Sequence, residues 1–156
     1  MDVPVINHPD YVAKINDDNK FPIKKFGALA EYLLKNRIVK KFHIPEECSI
    51  NTLKSSHSLE YINHIKNKTL NIKLQKKIGF PINDSVVRRS FIATGGTVLA
   101  SKLALDSKLA CNTAGGSHHA AYDYGAGYCV FNDVAVAANY LKNKNYKKKI
   151  LILDLD

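Results

Sequence analysis

Residues 147–156 read KKKILILDLD. Ile150, Leu151, Ile152 and Leu153 form an unbroken apolar run, the pattern of a strand covered on both faces in a parallel sheet. The reading is therefore a central strand, which makes the fold α/β. Asp154 and Asp156 follow at i and i+2, so an extended backbone points both carboxylates to one face. In open α/β sheets ligands sit just beyond the carboxyl ends of the strands, and an acidic pair there is placed for chemistry.

Upstream of that strand the chain alternates in the same sense. Phe26, Leu29, Ala30, Leu33 and Leu34 recur at helical spacing and predict one buried stripe on a helix from about Lys24 to Asn36. The stretch HSLEYINHIKN, 57–67, predicts a short helix. Asp84 is expected to cap a long helix from about Ser85 to Leu105, in which Gly95 and Gly96 signal close packing against a neighbour. LACNTAGG, 109–116, reads as a short strand entering a glycine turn. Asn132 can cap a helix whose apolar face is Val134, Ala137, Ala138 and Leu141. Helix, strand, helix, strand is the rhythm of a parallel sheet with helices on both faces.

Composition narrows the classes of function. A chain of 156 residues with 46% hydrophobic content supports one core and not a disordered segment. The cysteines, Cys48, Cys111 and Cys129, are far apart and show no C-x-x-C spacing, which speaks against a disulfide framework or an all-cysteine zinc site. The start, MDVPVINHPDYV, lacks a signal-peptide pattern and no apolar run reaches membrane-span length, so the expectation is a soluble, cytoplasmic protein with no membrane partner. The net charge of +9 raises the question of nucleic acid. Much of the excess lies in KNKNYKKK, 142–149, and KLQKK, 73–77, which read as solvated turns without the aromatic interleaving of a stacking platform. Nucleic acid is not the expected partner.

The stretch AGGSHHAAYDYGAGYCVFNDVAVAA, 114–138, carries the chemistry. Gly115 and Gly116 permit positive φ and close approach of other groups to the backbone. Adjacent side chains are expected to diverge, so His118 and His119 suit two acid–base roles better than one shared metal ion. A neutral imidazole can take a proton from water, and one backed by a carboxylate is held in a single tautomer. Asp154 is a plausible backing group, which leaves Asp156 for a cation. Taken singly, each feature is equally well a surface histidine pair or a polar strand end.

Taken together, GGSHHA, GYCVFNDVAVAA and ILILDLD, with IGFPIND and ATGGT before them, resemble the histone deacetylase superfamily. These are zinc amidohydrolases that include acetoin-utilisation proteins and acetylpolyamine deacetylases. HPDYV and FPIKKFGAL are similar to the bacterial and class IV-like branch. The resemblance implies an open parallel-sheet, three-layer arginase/deacetylase-like fold and hydrolysis of an acetyl-lysine or small acetylated-amine amide. It implies His119 as general base and acid, His118 as its electrostatic partner bonded to Asp154, and Asp156 as a zinc ligand. It further implies Asp154 at a potassium ion, the Gly127 carbonyl as acceptor of the substrate amide N–H, and Tyr128 as a wall of the substrate tunnel. The family's pocket-floor arginine would fall near Gly27 and its rim aspartate near Gly79. The remaining zinc ligands of the family pattern would lie beyond Asp156. The chain therefore reads as the N-terminal portion, 1–156, of one deacetylase domain, incomplete as an enzyme by itself and partnered by a complementary C-terminal fragment. The alternative is a non-catalytic remnant or interaction module of the same fold.

Overall fold

The computed structural model describes residues 3–156; Met1 and Asp2 of the stretch MDVPVINHPDYV lie outside the described residues. The chain runs β1 (Val5–Ile6), a 3-10 turn (Pro9–Tyr11), α1 (Lys25–Lys35), α2 (Ile50–Leu53), α3 (Leu59–Lys66), α4 (Ile72–Ile78), α5 (Asp84–Ser107), β2 (Cys111–Asn112) and α6 (Asp133–Asn143). β1 pairs parallel with β2, Val5 opposite Cys111 and Ile6 opposite Asn112. On its other side Ile6 makes a parallel bridge to His43, with the His43 N–H donating to Val5 O at 2.9 Å. β1 is thus the middle of three parallel extended segments, and Ile6 between them is fully buried.

Local chemistry sets the helix boundaries. Ser49, Ser58 and Asn71 each accept a backbone N–H of the first turn of α2, α3 and α4, meeting donors that the helix leaves unpaired. For α5 the cap is Asn83, whose Oδ1 accepts from Val86 N at 2.9 Å. The expected cap, Asp84, lies one residue inside the helix, where its carboxylate meets the exposed Lys68 ammonium. Asn132 caps α6 as expected, accepting from Ala135 N at 3.0 Å.

α5 is the spine of the molecule, and its two glycines are there for contact. A Cβ on Gly95 would overlap the Glu46 carbonyl oxygen, and one on Gly96 would overlap the Tyr11 hydroxyl. That hydroxyl donates to Asn112 Oδ1 at 2.8 Å, tying the 3-10 turn to β2 across the glycine. Tyr11, Leu53, Ile62, Ile65, Ile78, Val86, Ile92, Phe131 and Val136 fill the core between α3, α5 and α6.

Two expectations fail here. The α1 stripe is not buried: Phe26 is, but Leu29 and Leu34 are exposed, because α1 makes its contacts through its first turn, with Gly27 against Val12 and Phe26 against Phe21. The segment 150–153 is not a central strand. It has no regular secondary structure and no ladder partner among the described residues, and Leu151 is 89% exposed. An apolar run reports what a segment is suited to pair with, and the pairing itself must come from another segment. The inner side of this one faces a cleft of about 470 Å³ lined by Val134, Ala137, Ala138 and Leu141, the expected face of α6, while Val136 enters the core. All three cysteines are free thiols. Among the described residues no helix is long and apolar enough to cross a membrane.

Candidate active site

The glycine turn after β2 is held from below by one carboxylate. Asp133, in the first turn of α6, is 1% exposed and accepts from Ser117 N at 2.7 Å and Gly116 N at 3.1 Å. The Thr97 hydroxyl of α5 donates to the same carboxylate. Gly115 at φ +113° passes so close that a Cβ would stand 2.7 Å from Thr97 Oγ1. Asn132 adds a second hold, its Nδ2 donating to Ala120 O at 3.1 Å and His118 O at 3.4 Å. The histidine loop is thereby fastened to the N-terminus of α6 on both sides of the histidines.

His118 and His119 do not diverge as expected. The chain turns at this point, with His118 N donating to Gly116 O at 2.9 Å, and a turn lets neighbouring side chains converge where a strand would separate them. The imidazoles meet edge to face, and their Nε2 atoms are 3.0 Å apart. His118 Nδ1 lies 2.8 Å from Asp154 Oδ2, and its Nε2 lies 3.6 Å from Asp156 Oδ2. With Nδ1–H given to the carboxylate, a neutral His118 presents its Nε2 as an acceptor toward His119 Nε2. His118, His119 and Asp156 also bring one ligand atom each within 4.8 Å of one another, a nitrogen–oxygen donor set of the kind zinc takes.

Gly127 and Tyr128 form the opposite wall. Both have positive φ, +53° and +66°, at the tip of a tight turn closed by Ala126 and Cys129. Their N–H groups are spent on the end of α4, Gly127 on Lys77 O at 3.1 Å and Tyr128 on Ile78 O at 2.6 Å. A Cβ on Gly127 would stand 2.7 Å from His119 Cδ2, so the absence of a side chain lets the imidazole lie against the backbone. The Tyr128 ring packs against Phe21 and Phe80, centroids 5.0 and 5.3 Å away, over Gly79. A left-handed tyrosine is strained by about 1–3 kcal/mol and persists only where its surroundings dictate it.

These walls enclose a cleft of about 960 Å³ that gathers His118, His119, Gly127, Tyr128, Asp154 and Asp156. Sequence reasoning missed three residues of this region. Asp133, next to the expected cap Asn132, was not singled out. His57 looked like the start of a helix and is instead 1% exposed beneath the loop. Arg89 lines the cleft at 7% exposure, its Nε donating to Tyr11 O at 2.9 Å and its guanidinium 4.8 Å from the Phe26 ring centre. Burial lowers its pKa to about 10. Its neighbour Arg88 lies on the surface with Asp10 and Glu47. The spacing of Arg89 to Ala93 and Gly96, i, i+4 and i+7, was the available signal that it faces inward.

Residues 20–156 match the histone deacetylase domain. The chain belongs to the histone deacetylase family. It is 40% identical, over its whole length, to an uncharacterized protein of Picosynechococcus sp., of which it covers 53%. To the acetoin utilization protein AcuC of Staphylococcus aureus it is 28% identical, with 92% of this chain matching 40% of that protein. It superposes on a crystal structure of an HDAC homologue complexed with SAHA with a TM-score of 0.76 and 23% identity, covering 95% of this chain and 43% of that one. The fold is therefore that of the α/β deacetylases, and the chain spans about half or less of the length of these relatives. In this deacetylase-family chain the histidine pair and the two aspartates converge on one cleft, although the sequence separates them by more than thirty residues.

Proposed function

We propose that this chain carries the proton-transfer half of a zinc-dependent deacetylase site acting on an acetylated lysine or a small acetylated amine. The observation that supports it most is the line Asp154, His118, His119, with contacts of 2.8 and 3.0 Å, opening on the cleft beside Asp156. Asp154 fixes the tautomer of His118. His118 then presents an acceptor nitrogen to His119, so a proton taken by His119 from water is stabilised by the pair and available for the leaving amine. Asp156 is the carboxylate we assign to zinc, which when bound polarises the amide carbonyl and lowers the pKa of its water. The Gly127 carbonyl and the Tyr128 ring are the substrate-positioning groups of this reading. Arg89, with no carboxylate within ion-pair distance among the described residues, gives the wall a positive charge suited to the acid that hydrolysis releases. A potassium ion at Asp154 is a second proposal, resting on the family resemblance, and it would share Oδ1 with the Asp156 N–H, which donates to it at 3.1 Å.

Catalytic zinc takes three protein ligands and an open position. Asp156 alone does not supply them once the histidines are committed to proton transfer. We therefore propose that the 156-residue chain has no turnover by itself, and that the exposed Leu151, Ile152 and Leu153 are an edge for a complementary part of the domain. The test is acetyl-lysine hydrolysis with added zinc by this chain, alone and joined to the C-terminal part of a deacetylase domain. Turnover only in the joined form is expected; zinc-dependent turnover by the chain alone would refute the division of roles. No turnover in either form, with both folded, would favour the non-catalytic module.

A further inference from the structure

We infer that His57, which touches neither substrate cleft nor carboxylate, is a positioning residue that fixes the histidine loop through Asn132. Its ring lies between two parts of the loop and belongs to neither. On one side Nε2 accepts from Asn132 N at 2.9 Å. On the other, Nδ1 is buried and faces the carbonyls of Ala121 and Tyr122, the acceptors an Nδ1–H would meet. Asn132 passes the constraint on: the residue whose N–H is held by His57 uses its side chain to hold His118 O and Ala120 O and to cap α6. Two hydrogen bonds therefore connect a buried imidazole to the backbone of His118. Ser58 N, donating to Tyr122 O at 2.9 Å, fastens the same surface one residue later.

The chemistry argues against His57 as mere filling. Phenylalanine or leucine would fill the space between Phe131 and Tyr61 but would leave the Asn132 N–H without its acceptor, at a cost of about 1–3 kcal/mol. What the imidazole alone offers is an acceptor for Asn132 N–H. That role requires an unprotonated Nε2, and hence a neutral ring with its proton on Nδ1. The surroundings favour the neutral form: burial lowers the pKa. The titratable neighbours are phenols, Tyr61 donating to Val130 O and the exposed Tyr122, and no carboxylate or cation among the described residues pairs with the ring.

The test has arms that do not depend on turnover. Ring nitrogen NMR of the wild-type chain should show His57 neutral and protonated at Nδ1 at pH 7. His57→Phe should speed hydrogen exchange of the Asn132 amide at least tenfold and shift the His118 ring resonances. His57→Gln, which keeps an acceptor near the Nε2 position and does not titrate, should restore most of both. In the joined, active form His57→Phe should lower kcat at least tenfold with KM little changed, and His57→Gln should recover kcat and move the acid limb of its pH profile. The activity arm rests on the deacetylase reading. An Nε2–H or charged ring at pH 7, or unchanged Asn132 exchange in His57→Phe, would overturn the inference. Should His57→Phe not fold, the wild-type tautomer and the exchange of His57→Gln still decide it. Absence of turnover in the joined wild type, with the NMR arms as expected, would remove the deacetylase reading and leave the positioning role standing.

Discussion

Replacing Asp133 by asparagine exchanges one carboxylate oxygen for an amide nitrogen at a site where both oxygens are in use. Oδ2 receives Gly116 N–H and the Thr97 hydroxyl, and Oδ1 receives Ser117 N–H. An asparagine can keep its oxygen in only one of the two places. With the oxygen at the Oδ2 position, the amide points N–H at Ser117 N–H; in the other orientation it faces Gly116 N–H. Either way at least one charge-assisted bond, worth about 1.5–3 kcal/mol, is lost and two donors oppose each other. The Thr97 hydroxyl can rotate and accept, so its contribution survives in part. We expect Asp133→Asn to destabilise the chain by about 2–4 kcal/mol, with the largest amide shifts at Gly116 and Ser117. Urea unfolding gives the stability as a change of midpoint at constant slope, and amide spectra locate the damage. A change under about 0.5 kcal/mol, the ordinary range of a neutral surface substitution, or shifts centred away from residues 115–118, would refute the clamp.

Gly95→Ala should cost about 3 kcal/mol or more, since its Cβ meets the Glu46 backbone and not a movable side-chain end; thermal unfolding checks it. In the joined enzyme His119→Ala should lower kcat by about 10² to 10⁴, and His118→Ala should also impair it strongly, read by initial rates at saturating substrate. Near-normal kcat in His119→Ala would reassign the pair. Burial pushes the Cys48 thiol up to about 12, so its thiolate is disfavoured in the folded state. An acid whose folded pKa is raised above its unfolded value loses stability as pH rises between the two. Stability should therefore fall from about pH 9 upward by a component that Cys48→Ala lacks, as urea midpoints against pH would show. At about pH 8 a small alkylating agent should label the exposed Cys111 well before Cys48, by mass spectrometry.

The helices α1, α3, α5 and α6 were legible because their signals are local, whereas α2 went unread and KLQKK, 73–77, read as a solvated turn, is in fact α4, capped by Asn71 and buried through Ile78. Asn132 and the stretch 57–67, with Leu59, Ile62 and Ile65 spaced by three, sit within a turn of what they determine, and α3 and α6 fall where they point, although the Ser58 cap of α3 went unread. The glycine pair in α5 was legible as a packing signal although its partners, Glu46 and Tyr11, were not, because nothing in a spacing names the far side of a contact. Where burial depends on what lies opposite, periodicity overstates: Leu29 and Leu34 keep perfect helical phase and still face solvent. The candidate site was half legible. The approach of Asp154 to His118 was expected from their places at segment ends, and the structure brings them together at 2.8 Å. The facing of the two imidazoles was not, because it depends on one turn at Gly116. Asp133 and His57 were hidden for a further reason. Each works through main-chain groups, and main-chain partners leave no trace in residue identity.

The glycines at 79 and 127 have a consequence for anyone who would redesign the cleft. Tyr128 rests on the first and His119 on the second, each against bare backbone at positive φ, +84° and +53°. Neither position can be used to tune specificity, because the smallest side chain added there would displace a ring and also strain the main chain. Reshaping this wall has to proceed through Phe21 and Phe80, which pack on Tyr128 and not on the imidazoles. A library confined to those two positions would vary the wall beside Tyr128 while leaving the contacts among His118, His119, Asp154 and Asp156 as they stand.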